Sequence, residues 1–225
     1  RQNVLRRDPD QANSLPGNNI LTLMAAADGD VWAAISGQGI VRIRGVEVHT
    51  HWATARDGGV LRGNFVWSLA EACDGSVWGA YATDGVVRID PDSGAARHFE
   101  PGELGLPDSG FGLQLAVDQS CRLWLLRTDG IGRVETNEPF GFRSVLASAD
   151  TEIRVFLSLL FSGSDAAYVT GSDGLIHVGL TAGEDGSAEI RESWMLGASV
   201  NVARAANDGK LWLGMRRGLN LFDPA

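Results

Sequence analysis

The stretch from Asp74 to Asp90 reads DGSVWGAYATDGVVRID. A turn signal, Asp74-Gly75, precedes a short apolar run through Trp78. A second Asp-Gly pair, Asp84-Gly85, then opens another run, Val86-Val87-Arg88-Ile89. Runs of that length, rich in β-branched and aromatic residues and bounded by Gly and Asp, read as strands joined by tight turns. Asp-Gly between two such runs is the preferred two-residue hairpin connection, because both central positions favour positive φ.

The same phrase recurs along the chain. Trp32, Trp78 and Trp124 stand 46 residues apart, and Tyr168 and Trp212 follow at intervals of 44. Each anchor closes a similar phrase: DGDVW from Asp28, DGSVW from Asp74, SCRLW from Ser120, DAAY from Asp165 and DGKLW from Asp208. A glycine then opens the next run: GIVRI from Gly39, GVVRI from Gly85, GIGRV from Gly130, GLIHV from Gly174 and GLNLF from Gly218. Nine residues before each anchor stands Leu23, Leu69, Leu115, Leu159 or Ala203. A period of this length signals a solenoid or a propeller. Each unit reads as strand a (Ile20–Ala25 in the first), strand b (Val31–Ile35), strand c (residues 40–44) and a more variable strand d (residues 46–53). Four antiparallel strands per repeat make a propeller blade, so the expected fold is an all-β, five-bladed β-propeller in one domain, 1–225. The blades span about 20–54, 65–100, 111–146, 153–195, and 200–222 joined by 2–8.

The runs Phe65-Val66-Trp67-Ser68-Leu69 and Val155-Phe156-Leu157-Ser158-Leu159-Leu160 lack clean alternation, which predicts inner strands covered on both faces. Trp32, Trp78, Trp124, Tyr168 and Trp212 are then wedges between neighbouring blades. The last repeat shows no strand d after Phe222, and Val4-Leu5-Arg6-Arg7 lies where a preceding strand d would. The N-terminal segment is therefore expected to supply the outer strand of the fifth blade and seal the ring, which removes an open edge. An arc cut from a longer propeller is the alternative.

With 225 residues, the chain is 44% apolar and 21% charged, ordinary for a globular protein. Its 29 glycines and seven tryptophans suit short strands packed on aromatic wedges. A net charge of −9 with no basic run excludes a nucleic-acid surface, which needs cations to displace counterions. No apolar run approaches the ~20 residues of a spanning helix. The chain opens on Arg1 and has no signal-peptide pattern, which reads as a piece excised from something longer. Cys73 and Cys121 have no metal-ligand spacing; they read as small, half-buried turn residues in preference to a disulfide.

These phrases resemble the two-component regulator propeller repeat. Its unit runs Leu-Pro, a polar spacer, Val-x-Ser-Leu, an acidic turn ending in Gly, x-Ile/Leu-Trp, and then Gly-x-Leu-x-Arg-Leu/Phe-Asp. Here LPGNNILTL starts at Leu15, NFVWSLAEACDGSVWGAYATDGVVRIDPDSG at Asn64, LPDSGFGLQLAVDQSCRLWLLRTDGIGRV at Leu106, and VNVARAANDGKLWLGMRRGLNLFDP at Val200. The fourth repeat departs most, with Tyr168 for Trp and no Gly just before the strand-b run. Ala26, Ala72 and Ala206 replace an acid that the family places six residues before the Trp; Asp118 keeps it. The resemblance implies the periplasmic sensor half of a bacterial membrane receptor whose output is a kinase or diguanylate cyclase on another domain. It implies no cofactor, no metal and no chemistry in the propeller, a small-molecule, oligosaccharide or peptide ligand, membrane attachment only through flanking segments, and a homodimer in the full-length receptor.

In a propeller the b–c and d–a loops emerge on one face, where rigid strands present them to partners. The candidate ligand-binding residues there are Asn18, Asn19, Gln38, Asn64, Asp84, Arg127, Asp129, Asp173, Arg216 and Arg217, with Ser109 in the same set of loops. Arg127, Arg216 and Arg217 could grip an anionic ligand bidentately; against that, Asp before Gly is turn chemistry and exposed Arg serves solubility. Arg42, Arg88, Arg133 and His177 share one repeat position in strand c, where packing of the Arg stem between blades is the favoured account. His49 and His51, two apart on strand d, would share a face as metal ligands do, but no third ligand stands beside them. No nucleophile elbow, phosphate loop or catalytic carboxylate pair is legible. A sensing module is the reading preferred over a protein-interaction scaffold, and both over a propeller lyase or hydrolase.

Overall fold

The computed structural model describes residues 4–63, 65–107, 110–180 and 188–225, the side chain of Asp57 excepted. They divide into two compact units, Arg1–Leu106 and Pro107–Ala225. The fold is all-β, five propeller blades in succession, with one short α-helix among the described residues.

In the first unit, β1 (Ile20–Ala25), β2 (Val31–Ile35), β3 (Gly39–Arg44) and β4 (Glu47–Trp52) form an antiparallel sheet in chain order. β5 (Val66–Glu71), β6 (Val77–Tyr81), β7 (Val86–Ile89) and β8 (Ala96–Phe99) repeat it, and the helix α1 (Pro101–Leu104) follows. The second unit holds β9 (Gly112–Val117), β10 (Leu123–Arg127), β11 (Gly130–Glu135) and β12 (Gly141–Ala147). Then come β13 (Phe156–Phe161), β14 (Ala166–Gly171), β15 (Gly174–Leu180) and β16 (Ala188–Met195). Its last sheet has three strands, β17 (Val200–Ala205), β18 (Leu211–Met215) and β19 (Gly218–Phe222).

The glycine that opens strand c is needed sterically. A Cβ at Gly39 or Gly85, both at positive φ, would stand 2.1 Å from the carbonyl oxygen of Trp52 or Phe99. The a–b turns differ from the two-residue hairpin expected of Asp-Gly. Ala26 N–H donates to the Asp30 carbonyl and Gly29 N–H to the Ala26 carbonyl, and of the loop residues only Gly29 has positive φ. That is a three-residue loop ending in a left-handed residue, with the Asp28 carboxylate accepting from the Asp30 amide. Ala72–Ser76 and Ala206–Lys210 close the same way. In the third blade Cys121 takes the left-handed position, the only described non-glycine residue at positive φ.

The anchors work as wedges wherever a following blade lies in the same unit. Trp32 is buried in one cluster with Val66, Leu69 and Val77 of the second blade; Trp124 is buried in another with Phe156, Leu159 and Ala167 of the fourth. Tyr168, half-buried, packs on Val200, Ala203 and Leu211 of the fifth. Trp78 is fully buried and stacks on Phe99 with ring centroids 5.5 Å apart. Trp212 departs from the expectation of a buried wedge: it is 42% exposed.

Residues 4–8 form no strand, and closure of the fifth blade by the N-terminal segment is not shown; their neighbourhood folds onto the first blade, where Asn18 Oδ1 accepts from the Arg7 amide and the Asn13 carbonyl from the Val48 amide. Residue 2 of the expected 2–8 strand lies outside the described residues, as does 3. The inner strands are covered on both faces over most of their length: Val66 and residues 68–70 of β5, and Phe156, Ser158 and Leu159 of β13, are buried, and exposure is confined to the flanking Phe65 and Val155 and to Trp67. Finally, Cys73 and Cys121 are disulfide-bonded, with no free cysteine. Two turn cysteines carry no spacing signature, so tertiary placement alone decides their state.

Candidate functional site on the loop-bearing ends of the blades

The b–c and d–a loops are stitched together by a repeated backbone bond. Ser36 N–H donates to the Asn19 carbonyl, Thr128 N–H to that of Phe111 and Ser172 N–H to that of Val155, each at 2.9–3.0 Å. Asn19, Phe65, Phe111 and Val155 occupy one column of the repeat, and the last three are exposed apolar residues. Two positions further on, every inner strand carries a bulge at the same place. The a–b register skips Leu21, Trp67, Leu113, Leu157 and Asn201 in turn. A bulge leaves one residue unpaired and re-aims its side chain. In the second blade that residue is Trp67, 47% exposed. Phe65 and Trp67 in the first unit, and Phe111 in the second, are thus exposed aromatic side chains beside the loops, whereas Phe65 and Trp67 were expected to be covered as part of an inner strand. Their shared repeat column was the available signal.

Among the candidates read from sequence, Asn18, Asn19 and Asp84 are exposed in the first unit. Gln38 is half-buried, and its carbonyl lies 2.6 Å from His51 Nε2. Gln38 and His51 line a groove of about 320 Å³ with Arg7, Leu15 and Val48. Asn64 and Ser109 lie outside the described residues. In the second unit Asp173 accepts from the Ser172 hydroxyl at 2.6 Å, and its carbonyl accepts from the Leu196 amide. Arg216 and Arg217 are exposed.

Arg127 does not serve as a free anion grip. Its side chain is buried, paired with Asp129 at 3.0 Å, and donates to the carbonyls of Pro107 at 2.9 Å and Gly110 at 3.3 Å. A guanidinium saturated by its own loop positions that loop and leaves no fork for a ligand. The expected trio therefore reduces to Arg216 and Arg217.

The column Arg42, Arg88, Arg133 and His177 stands at the other end of the sheet, in register with the anchors. Trp32 pairs with Arg42, Trp78 with Arg88, Trp124 with Arg133 and Tyr168 with His177. Arg42 lies over the Trp32 ring at 5.8 Å and donates to Asp30 at 2.6 Å; Arg88 lies over Trp78 at 5.9 Å and reaches Asp74 at 2.8 Å. His177 stacks on Tyr168 at 4.5 Å. Arg42 and Arg88 clamp the a–b turns over their anchors, whereas Arg133 pairs with Glu135. Arg44 and Arg42 hold the Asp30 carboxyl below its ordinary range, against the burial that raises it. The acid kept at Asp118 clamps its own turn in a similar way, since its Oδ2 accepts from Trp124 Nε1 at 2.8 Å and from Arg122 Nε at 2.5 Å. In the second blade Ser76 Oγ accepts a hydrogen bond from Trp78 Nε1 in its place.

His49 and His51 do not form the shared face expected of metal ligands. The β3–β4 register skips His49, which breaks the alternation; His49 Nδ1 meets the Thr50 hydroxyl, while His51 meets Gln38. No group of three His, Cys, Asp or Glu able to hold a metal occurs among the described residues.

No family model matches the sequence, and no curated protein matches it. Solved structures do. The extracellular domain of BT3049 from B. thetaiotaomicron, named for a hybrid two-component system, matches with a TM-score of 0.75 at 14% identity, over 99% of this chain and 29% of that one. The extracellular domain of BT4673 from the same organism gives 0.70 at 16%, over 92% and 28%. Virginiamycin B lyase from Staphylococcus aureus gives 0.65 at 16%, over 92% and 71%. The chain thus spans less than a third of the length of the two extracellular domains. Its five blades share the propeller fold of the extracellular domains of hybrid two-component systems.

Proposed function

We propose that this chain is the ligand-sensing, extracytoplasmic part of a membrane-bound bacterial receptor of the two-component or cyclic-di-GMP type, and that it performs no chemistry itself. The observation that carries the reading is the overlap of 99% of this chain with part of the BT3049 extracellular domain. The disulfide adds support, because such bonds persist in oxidising compartments and are rare in the bacterial cytosol. No described helix is long and apolar enough to cross a membrane. In this reading the membrane is reached through flanking segments, and the receptor signals as a homodimer. The ligand meets the loop-bearing ends of the blades, where exposed aromatics such as Trp67 stand near polar side chains such as Asp84 in the first unit, and Arg216 and Arg217 carry charge in the second.

The experiment is a thermal-shift screen of sugars, organic acids and peptides, since a ligand that binds only the native state raises its melting midpoint. A hit lost in Trp67→Ala or in Arg216→Ala/Arg217→Ala supports the reading. If no small molecule shifts the midpoint, a protein-interaction scaffold takes its place, favoured by the exposed Phe65, Trp67 and Phe111. The fold likeness to virginiamycin B lyase keeps an activity screen worthwhile. Turnover of any lactone or glycoside by the purified chain would replace both readings.

A further inference from the structure

Within the second unit, a groove of about 430 Å³ lies between the outer strand of the fourth blade and the connection that leaves the third. Its floor is Ile176 of β15, 1% exposed, and Ile190 of β16, 39% exposed. The β15–β16 register pairs Ser193 with Ile176 and Ile190 with Val178. Ile190 and Ser193 therefore stand on the face that Ile176 and Val178 turn to the core shared with the third blade. The opposite wall is residues 149–152. It is held in place by Thr151, whose hydroxyl accepts from the Ile153 amide at 3.0 Å, and by Ile153 itself, which is fully buried.

The rim of this groove is acidic and unmatched. Asp150 and Glu152 are exposed, and neither has a hydrogen-bonded or ion-paired side-chain partner among the described residues. In the same unit Asp118, Asp129, Glu135, Asp165 and Asp208 each pair with an Arg or Lys. No basic side chain lines the groove.

We propose that this groove docks a segment of a partner protein in which an aliphatic side chain is flanked by Lys or Arg. The aliphatic side chain lies on Ile190 and Ile176, and the cations pair with Asp150 and Glu152. Charge complementarity selects that occupant over an acidic or neutral one. Exposure of Ile190 and of both carboxylates selects a segment over a small amine, because small-molecule sites bury most of the ligand's surface and this groove does not enclose one. A second copy presenting β16 would bring Ile190 and Ser193 to the groove and no cation, leaving the carboxylates unpaired. Exposed ion pairs contribute little each, so the contact is weak, sensitive to salt and dependent on the apolar floor. None of the candidate ligand-binding residues of the b–c and d–a loops lines this groove, so its occupancy is independent of the sensing reading.

The test is carbon-13 methyl NMR of the full chain labelled at isoleucine, with the fully buried Ile40 and Ile89 of the first unit as references. The probe is the synthetic peptide Lys-Ile-Lys-Ile-Lys. Lys-Ser-Lys-Ser-Lys keeps its charge, and Glu-Ile-Glu-Ile-Glu keeps its aliphatic side chains. The probe should shift the Ile190 and Ile176 methyls in a saturable way, and the two controls should not. Asp150→Lys/Glu152→Lys should lower the affinity about ten-fold or more, with the melting midpoint and circular dichroism unchanged. Ile190→Ser should abolish the shift at Ile176. Equal shifts with Lys-Ser-Lys-Ser-Lys overturn the proposal, because they report only attraction to a chain of net charge −9. So do shifts that survive the charge reversal, equal shifts with the small diamine cadaverine, or no shift at all. Broadening of the Ile190 methyl with protein concentration alone, lost in Ile190→Ser, also overturns it and makes a second copy the occupant.

Discussion

The Gln114 carboxamide is hydrogen-bonded twice to the backbone of Leu159: its Nε2 donates to the Leu159 carbonyl and its Oε1 accepts from the Leu159 amide, both at 2.9 Å. A side chain of the third blade thus imitates a strand partner for the inner strand of the fourth. Leu159 occupies the repeat column that faces the preceding anchor, so the bond holds β13 against the Trp124 wedge.

Gln114→Ala should therefore destabilise the second unit by about 1–3 kcal/mol, because it leaves a part-buried amide and carbonyl without partners. Urea unfolding followed by tryptophan fluorescence measures it. An unchanged midpoint would show that water replaces the carboxamide at no cost.

The two kinds of anchor should respond differently to truncation. Trp78→Ala removes a fully buried ring stacked on Phe99 and should cost about 3–5 kcal/mol. Trp212→Ala, at an exposed ring, should cost under about 1 kcal/mol. Equal losses at both positions in a denaturant titration would contradict the difference in burial.

Cys121 holds a left-handed backbone at φ 62, where the equivalent turns have Gly29, Gly75 and Gly209. Without reductant, the denatured protein should show no thiol reactive toward a disulfide reagent, and two after reduction. Once the bond is removed by Cys73→Ala, Cys121→Gly should be more stable than Cys121→Ala by about 1 kcal/mol, since only glycine adopts that φ freely. The reverse order would place the backbone strain elsewhere.

Acid should weaken the fold in two separate windows. His98 is stacked on Tyr81, and its Nε2 accepts from the Arg62 amide; burial, then the Arg62 charge, lower its pKa. Burial and Arg191 lower that of His177. A histidine with a depressed folded pKa is protonated first in the unfolded chain. Its contribution is full above the ordinary value of about 6.5 and declines as pH falls below it. Asp30, held low by Arg44 and Arg42, keeps its contribution until pH falls below the ordinary carboxylate value of about 3.9 and towards its own lower one. The melting midpoint should fall between about pH 7 and 5.5 in the wild type, and by less in His98→Asn/His177→Asn. An identical slope in the variant would assign that window to other groups.

What the sequence determined is everything periodic. The 46-residue spacing of Trp32, Trp78 and Trp124, the glycine before each strand c and the acid in each a–b turn act within one blade or between consecutive blades, so the repeat writes them in plain view. Strand b of the first blade was legible to the residue, Val31–Ile35. What only the tertiary structure decided is where identical phrases meet different surroundings. Trp212 reads like Trp124, yet one is exposed and the other buried, because burial depends on a blade's surroundings and not on its own letters. Arg127 reads like Arg216, yet it is consumed by Asp129 and two loop carbonyls. The bulge that turns Trp67 outward belongs to the same class: it is fixed by strand register, which a one-dimensional pattern does not carry.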